Sequence, residues 1–122
     1  LVLVHVEATD EAGHMGNARD KIRAIENIDR HIVGPIVRHL DEERAFRLFV
    51  APDHYTPTVK RTHTAEPVPF IFSGSDLSFC CSERAYTEMD AKATGIFLDR
   101  GYELMLRLVK GWHHYRRADG GS

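Results

Sequence analysis

The sequence predicts an α/β protein, half of a doubly wound sandwich in which helices flank a mostly parallel sheet. Three observations carry this. Leu1 to Val6 is a continuous apolar run rich in β-branched residues, broken only by His5, and such runs mark strands buried on both faces. Apolar residues then recur at helical spacing through Ile22, Ile25, Ile28, Ile32, Ile36 and Leu40. Two further short apolar segments, Phe46 to Ala51 and Val68 to Phe72, alternate with polar stretches.

Taken in order, the first strand covers Leu1 to Val6. Asn17 is a good helix cap, and Val33 and Val37 widen the apolar stripe that follows it. Gly34-Pro35 should kink or split this helix, because Pro35 lacks a backbone donor and its ring crowds the preceding turn. Phe46 to Ala51 is the second strand, with Pro52 marking its exit. Residues 55 to 67 hold four threonines, two prolines and His63, and fit a long functional loop. Val68 to Phe72 forms the third strand, ending at the loop signal Ser73-Gly74-Ser75. Beyond it, Ser82 is expected to cap a helix over Glu83 to Ala93. Tyr102 to Val109 forms another, with Leu104, Leu108 and Val109 on one side.

Composition limits the function classes. The chain has 122 residues, 43% hydrophobic and 28% charged, which fits one globular domain over residues 1–112 followed by a polar tail at 113–122. A formal charge of −2 offers no basic field for nucleic acid. No segment approaches the roughly 18 apolar residues of a membrane helix. Cys80 and Cys81 are adjacent and do not readily bridge each other, so a reducing cytoplasm is the expected location.

The chemistry concentrates in three short segments. Asp10-Glu11-Ala12-Gly13-His14, Pro52-Asp53-His54-Tyr55-Thr56-Pro57 and Arg61-Thr62-His63-Thr64 together supply Asp10, His14, Asp53, His54 and His63. Each segment borders a run that reads as a strand, so loops at one edge of a parallel sheet are expected to gather all five. Carboxylate oxygen mixed with imidazole nitrogen suits manganese, zinc, cobalt or magnesium and argues against a metal selected by thiolate. The spacing points to two metal ions.

These same segments, extended through Val4-His5-Val6-Glu7 and Ala65-Glu66-Pro67-Val68-Pro69-Phe70, resemble the C-terminal part of 2,3-bisphosphoglycerate-independent phosphoglycerate mutases of the archaeal type. That family lies in the alkaline phosphatase superfamily, so the resemblance implies an alkaline-phosphatase-like sheet of which only the C-terminal part is present. It assigns Asp10, His14 and His63 to one divalent ion, and Asp53 and His54 to the other, with manganese favoured over zinc, cobalt or magnesium. It implies interconversion of 3- and 2-phosphoglycerate through a phosphoserine. The nucleophile, and an aspartate that completes the second metal site, are expected upstream, so no catalytic nucleophile lies in this chain. A fragment of this kind is expected to pair with the missing N-terminal half or with itself, and to lack turnover alone. Other metal-dependent members of the superfamily, among them phosphomonoesterases, phosphonate hydrolases and homoserine kinase-like proteins, share these motifs. A non-catalytic binding fragment is the alternative from another class.

Remaining polar residues are read as follows. Lys21 and Arg61 lie near the ligand segments and are candidates to clamp a substrate phosphate. His5 is expected to be a buried, hydrogen-bonded histidine of the first strand, and Glu7 could orient an imidazole ligand. His31 and His39 should be exposed on the long helix. The pair His113-His114 sits in the polar tail and lacks the fixed geometry a metal needs.

Overall fold

The computed structural model describes residues 1–40, 42, 45–75, 77 and 84–112. Their elements run α1 (Ala8–His14), α2 (Ala18–Ile28), a π-helical turn (Asp29–Val33), α3 (Gly34–Leu40), β1 (Arg47–Val50), β2 (Ile71–Gly74), α4 (Glu88–Ala93) and α5 (Glu103–Lys110). The chain divides into two compact units, Leu1–Arg44 with Pro52–Val68, and Ala45–Ala51 with Pro69–Ser122. Among the described residues no helix is long and apolar enough to cross a membrane.

The first unit is built on α1 and α2, which pack together across a tight turn. Gly16 takes a left-handed backbone (φ 72°) just past α1. The amide of Gly16 then donates to Gly13 O at 3.0 Å and that of Asn17 to Ala12 O at 2.9 Å. This pair of bonds satisfies carbonyls that a helix end leaves open, and glycine adopts the required conformation without a Cβ clash. Asn17 at once starts α2. Its side-chain oxygen accepts from Asp20 N at 3.1 Å and its amide donates to Asp20 Oδ2 at 2.6 Å. Removing this cap with Asn17→Ala should cost about 1 kcal/mol of stability, whereas Asn17→Ser should keep most of it. Chemical denaturation midpoints of the two variants provide the check.

The expected break at Gly34-Pro35 takes the form of a widened turn. Gly34 N donates to Asp29 O, five residues back, so the helix continues through a π turn instead of splitting. Pro35 cannot donate to His31 O and its ring would crowd that carbonyl, and one wider turn relieves both problems. His31 and His39 are exposed, as expected. The apolar stripe is less well covered than its spacing predicts. Ile22 and Ile25 are more than half exposed, while Lys21, Ala24 and Ile28 on the neighbouring flank are half-buried.

Four sequence expectations are corrected here. A mostly parallel sheet is not formed among the described residues, whose one sheet is the antiparallel pair β1–β2. Leu1 to Val6 forms no strand, and Leu1 to Val4 run from 91% to 53% exposed. An apolar run becomes a parallel strand only where neighbouring strands supply its ladder, so β-propensity alone does not fix the state. His5 accordingly is exposed rather than buried, with its ring 3.7 Å from the carboxylate of Glu7. Glu7 thus faces His5 and not a ligand imidazole.

In the second unit, Arg47 pairs with Gly74, Leu48 with Ser73, Phe49 with Phe72, and Val50 with Ile71. The third expected strand is therefore shifted, with Ser73 and Gly74 inside β2 rather than in a loop. Phe70 and Phe72 approach Trp112, and the Arg107 guanidinium lies 4.8 Å from the centre of that ring. Arg47 donates to Leu108 O and Val109 O at the C-terminal end of α5, where the helix dipole favours a cation. Of Leu104, Leu108 and Val109, expected on one side of this helix, the two leucines are half-buried and Val109 is 60% exposed. The helix expected from Glu83 begins at Glu88, capped by Thr87 Oγ1 accepting from Asp90 N at 3.0 Å. The proposed cap Ser82, the cysteines Cys80 and Cys81, and the tail 113–122 lie outside the described residues.

Candidate metal centre

All five sequence-predicted ligands lie in the first unit. Asp10 and His14 sit on α1, not in a strand-end loop. Four residues apart, they share one helix face, and His14 Nε2 is 3.4 Å from Asp10 Oδ2. Acidic residues in the first turn and His14 in the last also complement the helix dipole.

The other three ligands come from the segment 52–68, which folds back on itself. Pro57 O accepts from Lys60 N and Arg61 N, and Thr64 N donates to Tyr55 O at 3.0 Å, an antiparallel bridge that brings the two limbs together. His54 and His63 stack with ring centres 3.6 Å apart. His63 Nε2 then lies 3.4 Å from Asp10 Oδ1 and 3.2 Å from His14 Nε2. Asp10, His54 and His63 each offer one ligand atom within 4.8 Å of the others.

One carboxylate and three imidazoles therefore converge from α1 and both limbs of the loop. Asp53 meets this group through its neighbour His54. Its side chain is 70% exposed, and it turns back on its neighbour, with Oδ1 accepting from His54 N at 3.1 Å and Oδ2 3.5 Å from His54 Nε2. The donor set fits a borderline divalent cation, which such oxygen and nitrogen ligands satisfy. His14 is arranged for that role. Its Nδ1–H donates to Arg61 O at 2.9 Å, leaving the Nε2 lone pair for the cluster.

Of the residues holding the ligands, Thr56 was not singled out from the sequence, and Arg61 was read only as a candidate phosphate clamp. Thr56 is buried, and its hydroxyl donates to Asp10 Oδ1 at 2.5 Å. That hydrogen bond, followed by the nearby imidazoles of His14, His63 and His54, holds the Asp10 carboxyl below its ordinary range. Arg61, the one non-glycine with positive φ (54°) among the described residues, aims its carbonyl at His14. A left-handed non-glycine residue costs about 1–2 kcal/mol, a strain that clusters at functional sites. A Cβ at Gly16 would collide with the Arg61 guanidinium, so a small residue there makes room for it. The usable sequence signal was Gly13 inside the Asp10–His14 segment, since a glycine within a helix often marks close backbone approach.

Lys21 and Arg61, the phosphate-clamp candidates, are both near the cluster in sequence context but differ in engagement. Lys21 Nζ donates to Thr56 O at 2.6 Å. Arg61 is exposed.

Comparison with known proteins agrees with a metal centre. Residues 1–99 match the metalloenzyme superfamily. The chain belongs to that superfamily. It is 41% identical over 112 residues, 91% of its length, to the 2,3-bisphosphoglycerate-independent phosphoglycerate mutase of Methanothrix thermoacetophila. It is 55% identical over 74 residues, 61% of its length, to 2,3-bisphosphoglycerate-independent phosphoglycerate mutase 2 of Methanothermobacter thermautotrophicus. The aligned parts cover 28% and 18% of those two relatives, so the chain spans only about a quarter of the length of the curated proteins it matches. No solved structure matches it.

Proposed function

We propose that this chain is the C-terminal metal-binding segment of a 2,3-bisphosphoglycerate-independent phosphoglycerate mutase, a cytoplasmic isomerase of glycolysis and gluconeogenesis. The reaction interconverts 3- and 2-phosphoglycerate through a phosphoserine, with the serine supplied by polypeptide beyond these residues. The observation that carries the reading is the convergence of Asp10, His14, His54 and His63 from segments far apart in sequence. The similarity to named mutases points the same way.

In this reading Asp10, His14 and His63 hold one divalent ion, and His54 with Asp53 holds the second, manganese being favoured and zinc, cobalt or magnesium suited to the same donors. Such ions, when bound, neutralise phosphate charge and lower the pKa of a hydroxyl nucleophile. The residues of this chain position and orient. Arg61 O fixes the His14 ring, and Thr56 O–H fixes the Asp10 carboxylate. The Lys21 ammonium has three donors, one of which goes to Thr56 O, and with the exposed Arg61 guanidinium it would hold the substrate phosphate.

A chimera tests this directly. The chain replaces the matching segment of the Methanothrix thermoacetophila mutase, and the product is assayed for 3-phosphoglycerate to 2-phosphoglycerate conversion with added Mn2+. Activity is expected, and His63→Ala in the same chimera should abolish most of it. A folded chimera that binds Mn2+ and hydrolyses a simple phosphomonoester, yet leaves 3-phosphoglycerate unchanged, would transfer the reading to another phosphoryl-transfer enzyme of the superfamily.

A further inference from the structure

One hydroxyl joins two ligands that the reading above gives to different cations. Thr56 is 2% exposed, and its Oγ1 lies 2.5 Å from Asp10 Oδ1 and 3.2 Å from His54 Nδ1. A threonine hydroxyl has one proton and two lone pairs. A carboxylate acting as a metal ligand has no proton to give, so the proton between these two oxygens belongs to Thr56. Toward His54 the hydroxyl then has only lone pairs. His54 must supply that proton from Nδ1, which leaves its own lone pair on Nε2.

We propose that Thr56 is a positioning residue for the metal centre: by accepting from His54 Nδ1–H and donating to Asp10 Oδ1, it sets the tautomer of one ligand and the orientation of another. The inference rests on the metal-site reading, and deepens it, because a single side chain now organises ligands from α1 and from the loop. Thr56 is itself held in place. Its carbonyl accepts from Lys21 Nζ at 2.6 Å, and its Cβ and Cγ2 fill the space beside Gly13. A hydroxyl on a side chain wedged in this way cannot rotate freely to other partners.

His14 offers an internal comparison. Its Nδ1–H donates to a backbone carbonyl, Arg61 O, which no side-chain substitution removes. His54 depends on a hydroxyl that one substitution deletes. Partners of this kind, which bond the far nitrogen of a ligand histidine, typically change metal affinity by about 10- to 100-fold when lost.

The test uses the 122-residue chain labelled with 15N-histidine, metal-free and at a pH of about 8, above the ordinary histidine range. Long-range 1H–15N correlation spectra read each ring's tautomer, and Mn2+ titration reads affinity. Wild type and Thr56→Ser should show His54 as the Nδ1–H tautomer. Thr56→Val keeps the shape but not the hydroxyl; it should shift His54 toward the Nε2–H form and weaken Mn2+ binding by about 10- to 100-fold. His14 should stay Nδ1–H in that variant, which shows that the site still folds. If Thr56→Val does not fold, the wild-type spectrum decides, since His54 found there as Nε2–H overturns the proposal with no variant needed. Thr56→Val with an unchanged tautomer and affinity overturns it, as does Thr56→Ser binding as weakly as Thr56→Val, which would assign the effect to packing. A chain that binds no Mn2+ but loses the His54 tautomer in Thr56→Val would sink the metal-site reading while supporting the role of Thr56.

Discussion

Asp10→Asn should lower the affinity of this chain for Mn2+ by more than the roughly 10- to 100-fold that loss of an outer hydrogen-bond partner costs. Asp10 is the carboxylate among three imidazoles, with Oδ2 3.4 Å from His14 and Oδ1 3.4 Å from His63. Asparagine fits the same volume but removes the charge that offsets a divalent cation. It also has one acceptor oxygen in place of two. If that oxygen keeps the Thr56 proton, the amide NH2 is directed toward the imidazole nitrogens and repels a cation. If it turns the other way, the Thr56 hydroxyl loses its acceptor. Either orientation damages the site. Glu11→Gln, one residue along on the exposed side of the same helix, removes an equal charge and should leave affinity unchanged. Isothermal titration with Mn2+ compares the two, and equal losses would reduce the site to a diffuse acidic surface.

The features legible in the sequence were those set by local chemistry. Asn17 was recognisable as a cap because its side chain needs only the amide three residues on. Residues 47–50 and 103–110 carried their own apolar patterns, and both segments formed the expected element. The ligand set was legible for a different reason. Carboxylates and imidazoles in three short segments, at a recognisable spacing, identify a centre before any geometry is known. Their secondary structure was less accessible. The spacing of Asp10 and His14 is that of a helix face, yet the preceding apolar run invited a strand-end loop.

What the sequence did not disclose depends on partners distant along the chain. Leu1 to Val6 has strand composition, but a strand needs a ladder, and among the described residues none is paired with it. Ile22 and Ile25 have core spacing but remain exposed, because α1, seven residues long, can cover only part of α2. Thr56 was one threonine in a polar loop. Its significance arises only when the loop folds back and places the hydroxyl between Asp10 and His54. The same folding gives the Arg61 carbonyl its role, which no side-chain pattern could signal.

Gly13→Ala should destabilise the chain by about 1–2 kcal/mol and weaken Mn2+ binding at the same time. In a helix interior, alanine ordinarily gains up to about 1 kcal/mol over glycine, so propensity alone predicts the opposite sign. Space decides the outcome. A Cβ on Gly13 would lie 2.5 Å from Thr56 O, 2.9 Å from Thr56 Cγ2 and 3.0 Å from Thr56 Cβ. The nearest of these atoms is backbone, which cannot swing aside as the end of a long side chain can. Overpacking of this kind costs about 1–3 kcal/mol, enough to exceed the helix gain. Relief requires α1 and the segment around Thr56 to separate, and that movement lengthens the Thr56–Asp10 hydrogen bond and draws Asp10 from His63. Gly101→Ala is the matched control, since a Cβ there meets nothing within 4 Å and the substitution should leave both stability and metal binding nearly unchanged. Thermal denaturation and Mn2+ titration of the two variants separate the cases. A Gly13→Ala chain as stable as wild type, with unaltered metal affinity, would show that α1 and Thr56 are not in close contact, and the positioning of Asp10 by Thr56 would fall with that contact.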